Sequence, residues 1–232
     1  MPTGKAHRSD RPELTEREVT AGILWFPLWA AGLPLLLRLS AHLSGQSPDS
    51  PWLSVIGTVV GAAFTVFLFR RFLISSFRDL RDHAVVCVIC TAAGLLLYYT
   101  SQFLITAAMH LFIPAFSIPG GTNAVYDAAE YYRLICAVCL APITEEMLMR
   151  ALLFGRLEVF RRIPAYALST TVFAALHFVA YAGKLNIETL ALLFVSYIPG
   201  GLILALAYSV SENILTAIWL HTLINLIGCF LR

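Results

Sequence analysis

Long apolar stretches separated by short polar ones dominate the pattern of this chain. They cover Val19 to about Leu39, Trp52 to Phe69, Ala84 to Ala108, Tyr132 to Phe154, Ile163 to Ala182, Ile187 to Tyr208 and Ile214 to Leu231. Each is close to the roughly 20 residues a helix needs to cross a bilayer, and a crossing segment must satisfy its own backbone, which favours helices. The pattern predicts an all-α fold, a polytopic transmembrane helix bundle of seven membrane segments. An eighth is the alternative, because the third apolar stretch continues through His110, Leu111 and Phe112 to Phe116, about 50 Å if helical. Either a short interfacial or re-entrant helix before Pro119, Gly120 and Gly121, or one further crossing between Ala108 and Tyr132, accommodates it.

Residues 1–18 are polar and mixed in charge and read as a cytoplasmic N-terminal tail, with 19–232 forming a single transmembrane domain. A signal peptide fits less well, since the apolar run from Val19 is too long for one and no small-residue cleavage site ends it. Lys and Arg collect in short cytoplasmic loops. Here they alternate: Lys5, Arg8, Arg11 and Arg17, then Arg70, Arg71, Arg78 and Arg81, then Arg156, Arg161 and Arg162 fall on one side of a seven-span arrangement. The other side has mainly Lys184 and Arg232, which puts the N-terminus in the cytoplasm. Compact length and the short tail lean towards a prokaryotic cytoplasmic membrane.

Composition sharpens this picture. The chain is 59% hydrophobic and 13% charged, about half the charge of a soluble domain, which excludes a water-soluble globule. A net charge of +2 supplies no basic field of the kind nucleic acid needs, so nucleic acid is not an expected partner. The pairs Cys87/Cys90 and Cys136/Cys139 have zinc-like spacing, but they belong near opposite faces of a core about 30 Å thick and read as small packing residues.

Ionisable side chains within spans are costly and therefore functional candidates. The fourth segment carries Glu145, Glu146 and Arg150, the fifth Phe173 and His177, the seventh His221 and Asn225. At 1.5 Å rise per residue, Glu145 lies about 16 Å from Arg156, His177 about 22 Å from Arg162, and His221 and Asn225 about 12 and 18 Å from Asn213. These depths predict a shared polar, hydrated intramembrane cavity. Glu146 and Arg150 are spaced for an intrahelical ion pair. That leaves Glu145, pointing about 100° away, to exchange a proton with water or His177 as a general base. Pro142 opens the preceding turn. The plain alternatives are a structural clamp for Glu146 and Arg150, and interhelical hydrogen bonds for Glu145, His177, His221 and Asn225.

Glu145-Glu146-x-x-x-Arg150, Phe173-x-x-x-His177 and His221-x-x-x-Asn225, in this order on separate hydrophobic helices, resemble the CAAX protease and bacteriocin-processing (CPBP, or Abi) family of glutamic-type intramembrane endopeptidases. The family fold is described as eight transmembrane helices around a cavity. The resemblance implies hydrolysis of a peptide bond by a water that Glu145 deprotonates with His177 assisting, and an oxyanion hole formed by His221 and Asn225. Glu146, Arg150 and Phe173 would support them. Substrates would be membrane-anchored or lipidated proteins or peptides: prenylated CAAX proteins, leader peptides or C-terminal sorting segments. No cofactor is expected. The rival is zinc, because two histidines and a glutamate also form a catalytic zinc set, although neither HExxH nor its inverse is present. Outside proteolysis, a non-proteolytic membrane scaffold or adaptor and a proton-coupled transporter are the other readings; the transporter predicts repeated halves with broken helices, which the sequence lacks.

Overall fold

A computed structural model describes residues 12–48, 50–112, 128–181, 183 and 185–230, and among them there is no strand. The helices are α1 (Glu16–Pro27), α2 (Leu33–Leu43), α3 (Pro51–Leu68), α4 (Arg70–Phe112), α5 (Ala128–Cys139), α6 (Ala141–Glu146), α7 (Gly155–Glu158), α8 (Arg162–Tyr181), α9 (Ile187–Ser211) and α10 (Ile214–Phe230). Two π-helical stretches, Leu28–Gly32 and Met147–Phe154, join α1 to α2 and α6 to α7. Among the described residues, four helices are long and apolar enough to cross a membrane: Glu16–Leu43, Pro51–Leu68, Arg70–Leu111 and Ile187–Ser211. Of the remaining apolar segments, α8 is one 20-residue helix, α10 is shorter, and the run through α5, α6 and α7 is interrupted. Leu24, Leu35, Val85, Leu96 and Phe103 stand exposed on these helices, as lipid-facing side chains do and as those of a water-soluble domain rarely do in such number.

Three local features depart from the sequence pattern. The helix starts at Glu16, not at Val19. Thr15 caps it, its hydroxyl accepting from Glu18 N–H (3.3 Å) while the Glu18 carboxylate accepts from Thr15 N–H (2.9 Å). The other oxygen of buried Glu18 accepts from Phe72 N–H (3.2 Å), in the first turn of α4. One carboxylate thus serves two helix N-termini, where backbone donors lack intrahelical partners and negative charge is favourable. The basic stretch Arg70 to Arg81, read from the sequence as a loop, is the start of a 43-residue helix. No Gly or Pro interrupts residues 70–81, and Phe72, Leu73 and Ser76 are buried. The fourth segment breaks at Leu140, so Pro142 stands at the beginning of α6, where its missing N–H costs nothing, and does not loosen the middle of a continuous helix. The stretch 113–127, on which an eighth crossing turns, lies outside the described residues, as do residues 1–11 of the tail, Lys184 and Arg232.

The charged ends gather at one end of the bundle. Besides the Glu18 tie, Arg156 pairs with Glu16 (3.2 Å), and Ser209 donates to buried Glu158 (2.6 Å). Asn213, fully buried in the α9–α10 turn, donates to Ser76 O and to Asp79 (both 2.9 Å) and accepts from Leu215 N–H (2.9 Å). These bonds fix α1, α4, α9 and α10 in register at that end, and so fix the depth of whatever α10 carries further along.

The core contains Phe69, Met147, Leu148, Met149, Phe154, Leu204, Ile214 and Leu220. Leu220 lies against Gly94 of α4, so closely that a Cβ on Gly94 would come within 2.4 Å of Leu220 Cδ2 and 3.2 Å of its Cδ1. Because Leu220 is fully buried and cannot swing away, Gly94→Ala is expected to overpack the α4–α10 contact. The expected cost is about 1–3 kcal/mol, read as a lowered unfolding midpoint in detergent, with less effect when the same substitution is made at Gly228, where a Cβ meets nothing within 4 Å.

Candidate active site

Three helices bring titratable side chains together. Glu145 and Glu146 end α6, just where the backbone widens into the π-helical stretch Met147–Phe154. Such stretches are common at functional sites. His177 comes from the second half of α8, and His221 from the middle of α10. Glu145 Oε2 lies 4.0 Å from His177 Nε2 and 3.9 Å from His221 Nε2, and it accepts no hydrogen bond from the protein. Separations of this size are too long for direct hydrogen bonds and suit a bridging water or a substrate atom. Glu145 and His177 keep 18% and 23% of their side-chain surface accessible, against 7% for His221, while Glu145 Oε2 itself is buried.

The outer nitrogens of both rings are held. His177 Nδ1 is 2.9 Å from Phe173 O; a carbonyl only accepts, so Nδ1 carries the proton and neutral His177 presents a lone pair at Nε2. His221 Nδ1 is 2.7 Å from Glu146 Oε1, and Glu146 Oε2 faces Arg150 Nε at 3.1 Å. With the guanidinium compensating its charge, the carboxylate acts as acceptor, and His221 Nδ1 donates. The structure thus adds His221 to the Arg150 partner that the i, i+4 spacing predicts for Glu146. Two adjacent carboxylates meet the two nitrogens of one imidazole, Glu146 at Nδ1 and Glu145 opposite Nε2.

Arg150 is fully buried and makes two further contacts: Nη2 donates to Gly201 O (3.0 Å), and the guanidinium lies 4.5 Å from the Phe173 ring centroid. A buried guanidinium and carboxylate are costly unless paired; here the pair rests on the 3.1 Å approach of Arg150 Nε to Glu146 Oε2, and Arg150 Nη1 makes no hydrogen bond. Phe173 in turn meets His177 (centroids 4.6 Å apart) and His221 (5.7 Å). Asn225, one turn beyond His221 on α10, donates through Nδ2 to Ala137 O (3.0 Å); it stands beside the cluster and is not bonded to Glu145 or His177. Tyr197, which the polar pattern does not single out, stacks its ring on His177 at 4.0 Å and 25°. Its signal was available in Pro199-Gly200-Gly201, a mark of close helix approach just beyond it.

A metal does not fit these positions as they stand. Among the described residues, no group of three His, Cys, Asp or Glu side chains is spaced to hold a metal ion. Donors 3.9–4.0 Å apart would subtend about 140° at a metal bound at about 2.1 Å, far from the tetrahedral angle of protein zinc.

Residues 127–227 match the family model described as Type II CAAX prenyl endopeptidase Rce1-like. This stretch of the chain is similar to that family. The Rce1-like segment takes in α6, α8, α9 and α10, hence every side chain of the cluster just described. Neither the curated proteins nor the solved structures give a match to the chain. The match together with several long apolar helices fits an integral membrane protein.

Proposed function

We propose that this Rce1-like chain hydrolyses a peptide bond within the membrane using water activated by Glu145. The observation that carries the reading is a carboxylate oxygen without a protein donor, facing the Nε2 atoms of two imidazoles whose Nδ1 atoms are already committed. Water in that gap gives one proton to Glu145 as its oxygen attacks the substrate carbonyl, and His177 Nε2 accepts its second hydrogen bond and orients it. The carbonyl oxygen becomes an oxyanion. Because Glu146 fixes His221 with Nδ1–H, Nε2 can donate to that oxyanion only when His221 is an imidazolium. Asn225 Nδ2 has a second N–H beyond the one given to Ala137 and is the other donor. On collapse the C–N bond breaks and Glu145 returns its proton to the leaving amine.

The substrate class is a membrane-anchored or lipidated protein or peptide, with prenylated CAAX termini, leader peptides and sorting segments as the candidates. The basic ends gathered at one end of the bundle favour a cytoplasmic N-terminus, with α8, α10 and the interrupted α5–α7 run completing seven crossings. The test is co-expression of the chain with a farnesylated CAAX protein and reading of its C-terminal mass. Wild type releases the terminal tripeptide, whereas Glu145→Ala and His177→Ala do not; equal processing by both variants would sink the enzyme reading. Treatment of the purified protein with tight chelators is expected to leave the rate unchanged, and loss of activity restored by zinc alone would replace the water-activating carboxylate with a metal.

A further inference from the structure

The covalent Cβ–Cγ bond and the Nδ1–H bond to Phe173 O set the direction of the His177 ring but leave some tilt of its plane. Two flat side chains limit the tilt. Phe173, one turn back on the same helix, is tilted 49° to the ring, and Tyr197 of α9 lies nearly parallel to it at 4.0 Å. The approach of α9 to α8 is set by Gly201, four residues beyond Tyr197 on the same helical face. A Cβ there would lie 3.2 Å from Thr170 Cα and 3.4 Å from Phe173 Cδ1. The turn carrying Tyr197 is tied to α4 as well, since Gln102 Nε2 donates to Ser196 O (2.9 Å). Tyr197 is thus placed by backbone contacts on either side of it and is not a loose filler of the gap.

We propose that Tyr197 is a positioning residue for the hydrolysis proposed above: its stacked ring holds the plane of His177 so that Nε2 faces Glu145. This rests on that reading for its effect on rate, but the hold on the imidazole can be measured separately. The full chain, in lipid nanodiscs, is assayed on a farnesylated CAAX peptide and, labelled with ¹⁵N-histidine, its ring signals are recorded, His177 being assigned by their loss in His177→Gln. Tyr197→Leu and Tyr197→Met, which remove the flat face but stay apolar, are expected to lower kcat about 10- to 100-fold with KM nearly constant, and to mix the two tautomers of His177. Tyr197→Phe is expected to recover both the rate and the Nδ1–H signal. Wild-type kcat and wild-type His177 signals in the Leu and Met variants would overturn the proposal, and so would a Phe variant as impaired as Leu, which would point to the hydroxyl. If wild type leaves the peptide uncut, the peptidase reading fails, while the ring signals still decide whether Tyr197 holds His177.

Discussion

Glu145→Gln is expected to lower kcat on a farnesylated CAAX peptide by about 10²–10⁴-fold, the range that a positioned general base supplies. The substitution keeps shape but replaces the proton-accepting carboxylate with a neutral amide. Its structural cost is small for a stated reason: Oε2 accepts no hydrogen bond from the protein, and both histidine nitrogens stand about 4 Å away. Unfolding in detergent is therefore expected to move by less than about 1 kcal/mol. A large loss of rate without loss of fold separates the proposed base from interhelical glue, since glue would lose stability and keep its chemistry. KM is expected to change little, because the carboxylate acts on water and not on the substrate's anchor.

Arg150→Met is expected to do the reverse, damaging the fold first. The guanidinium is fully buried and serves Glu146, Gly201 O and the face of Phe173 at once. Without it, Glu146 becomes a buried carboxylate with only His221 to answer it. Breaking such a pair from one side costs about 3–5 kcal/mol, visible as a large drop in the thermal midpoint in detergent or bicelles. Arg150→Lys is not expected to rescue, since an ammonium cannot stack on Phe173 while reaching both Glu146 and Gly201. Glu146→Gln combined with Arg150→Met removes both charges and is expected to recover much of the stability. It should not recover activity, because His221 Nδ1 would then lack the carboxylate that holds it.

The constellation was legible in the sequence because polar residues are scarce in apolar spans, so depth counting on three helices converges on Glu145, His177 and His221. Counting along a helix axis says less about rotation around it. It did not show that Glu146 turns towards His221, or that one imidazole meets both carboxylates, since these depend on how α6 and α10 are rotated against each other. Asn225 shares a face with His221, yet its bond to Ala137 depends on where α5 ends, at the break near Leu140 that the hydrophobic pattern ran straight through. The N-terminal helices were legible as apolar segments but not at their ends. Arg70 to Arg81 carry the charge of a loop and the unbroken composition of a helix, and the buried tertiary contact between Glu18 and Phe72 is what anchors that turn.

Single-turnover cleavage of the farnesylated peptide in ¹⁸O-water, by wild type and by Glu145→Gln side by side, reads the source of the nucleophile and its dependence on this carboxylate together. The proposed chemistry predicts one ¹⁸O in the new carboxyl terminus with wild type and almost no product with the variant. Product formed by Glu145→Gln at the wild-type rate would contradict it.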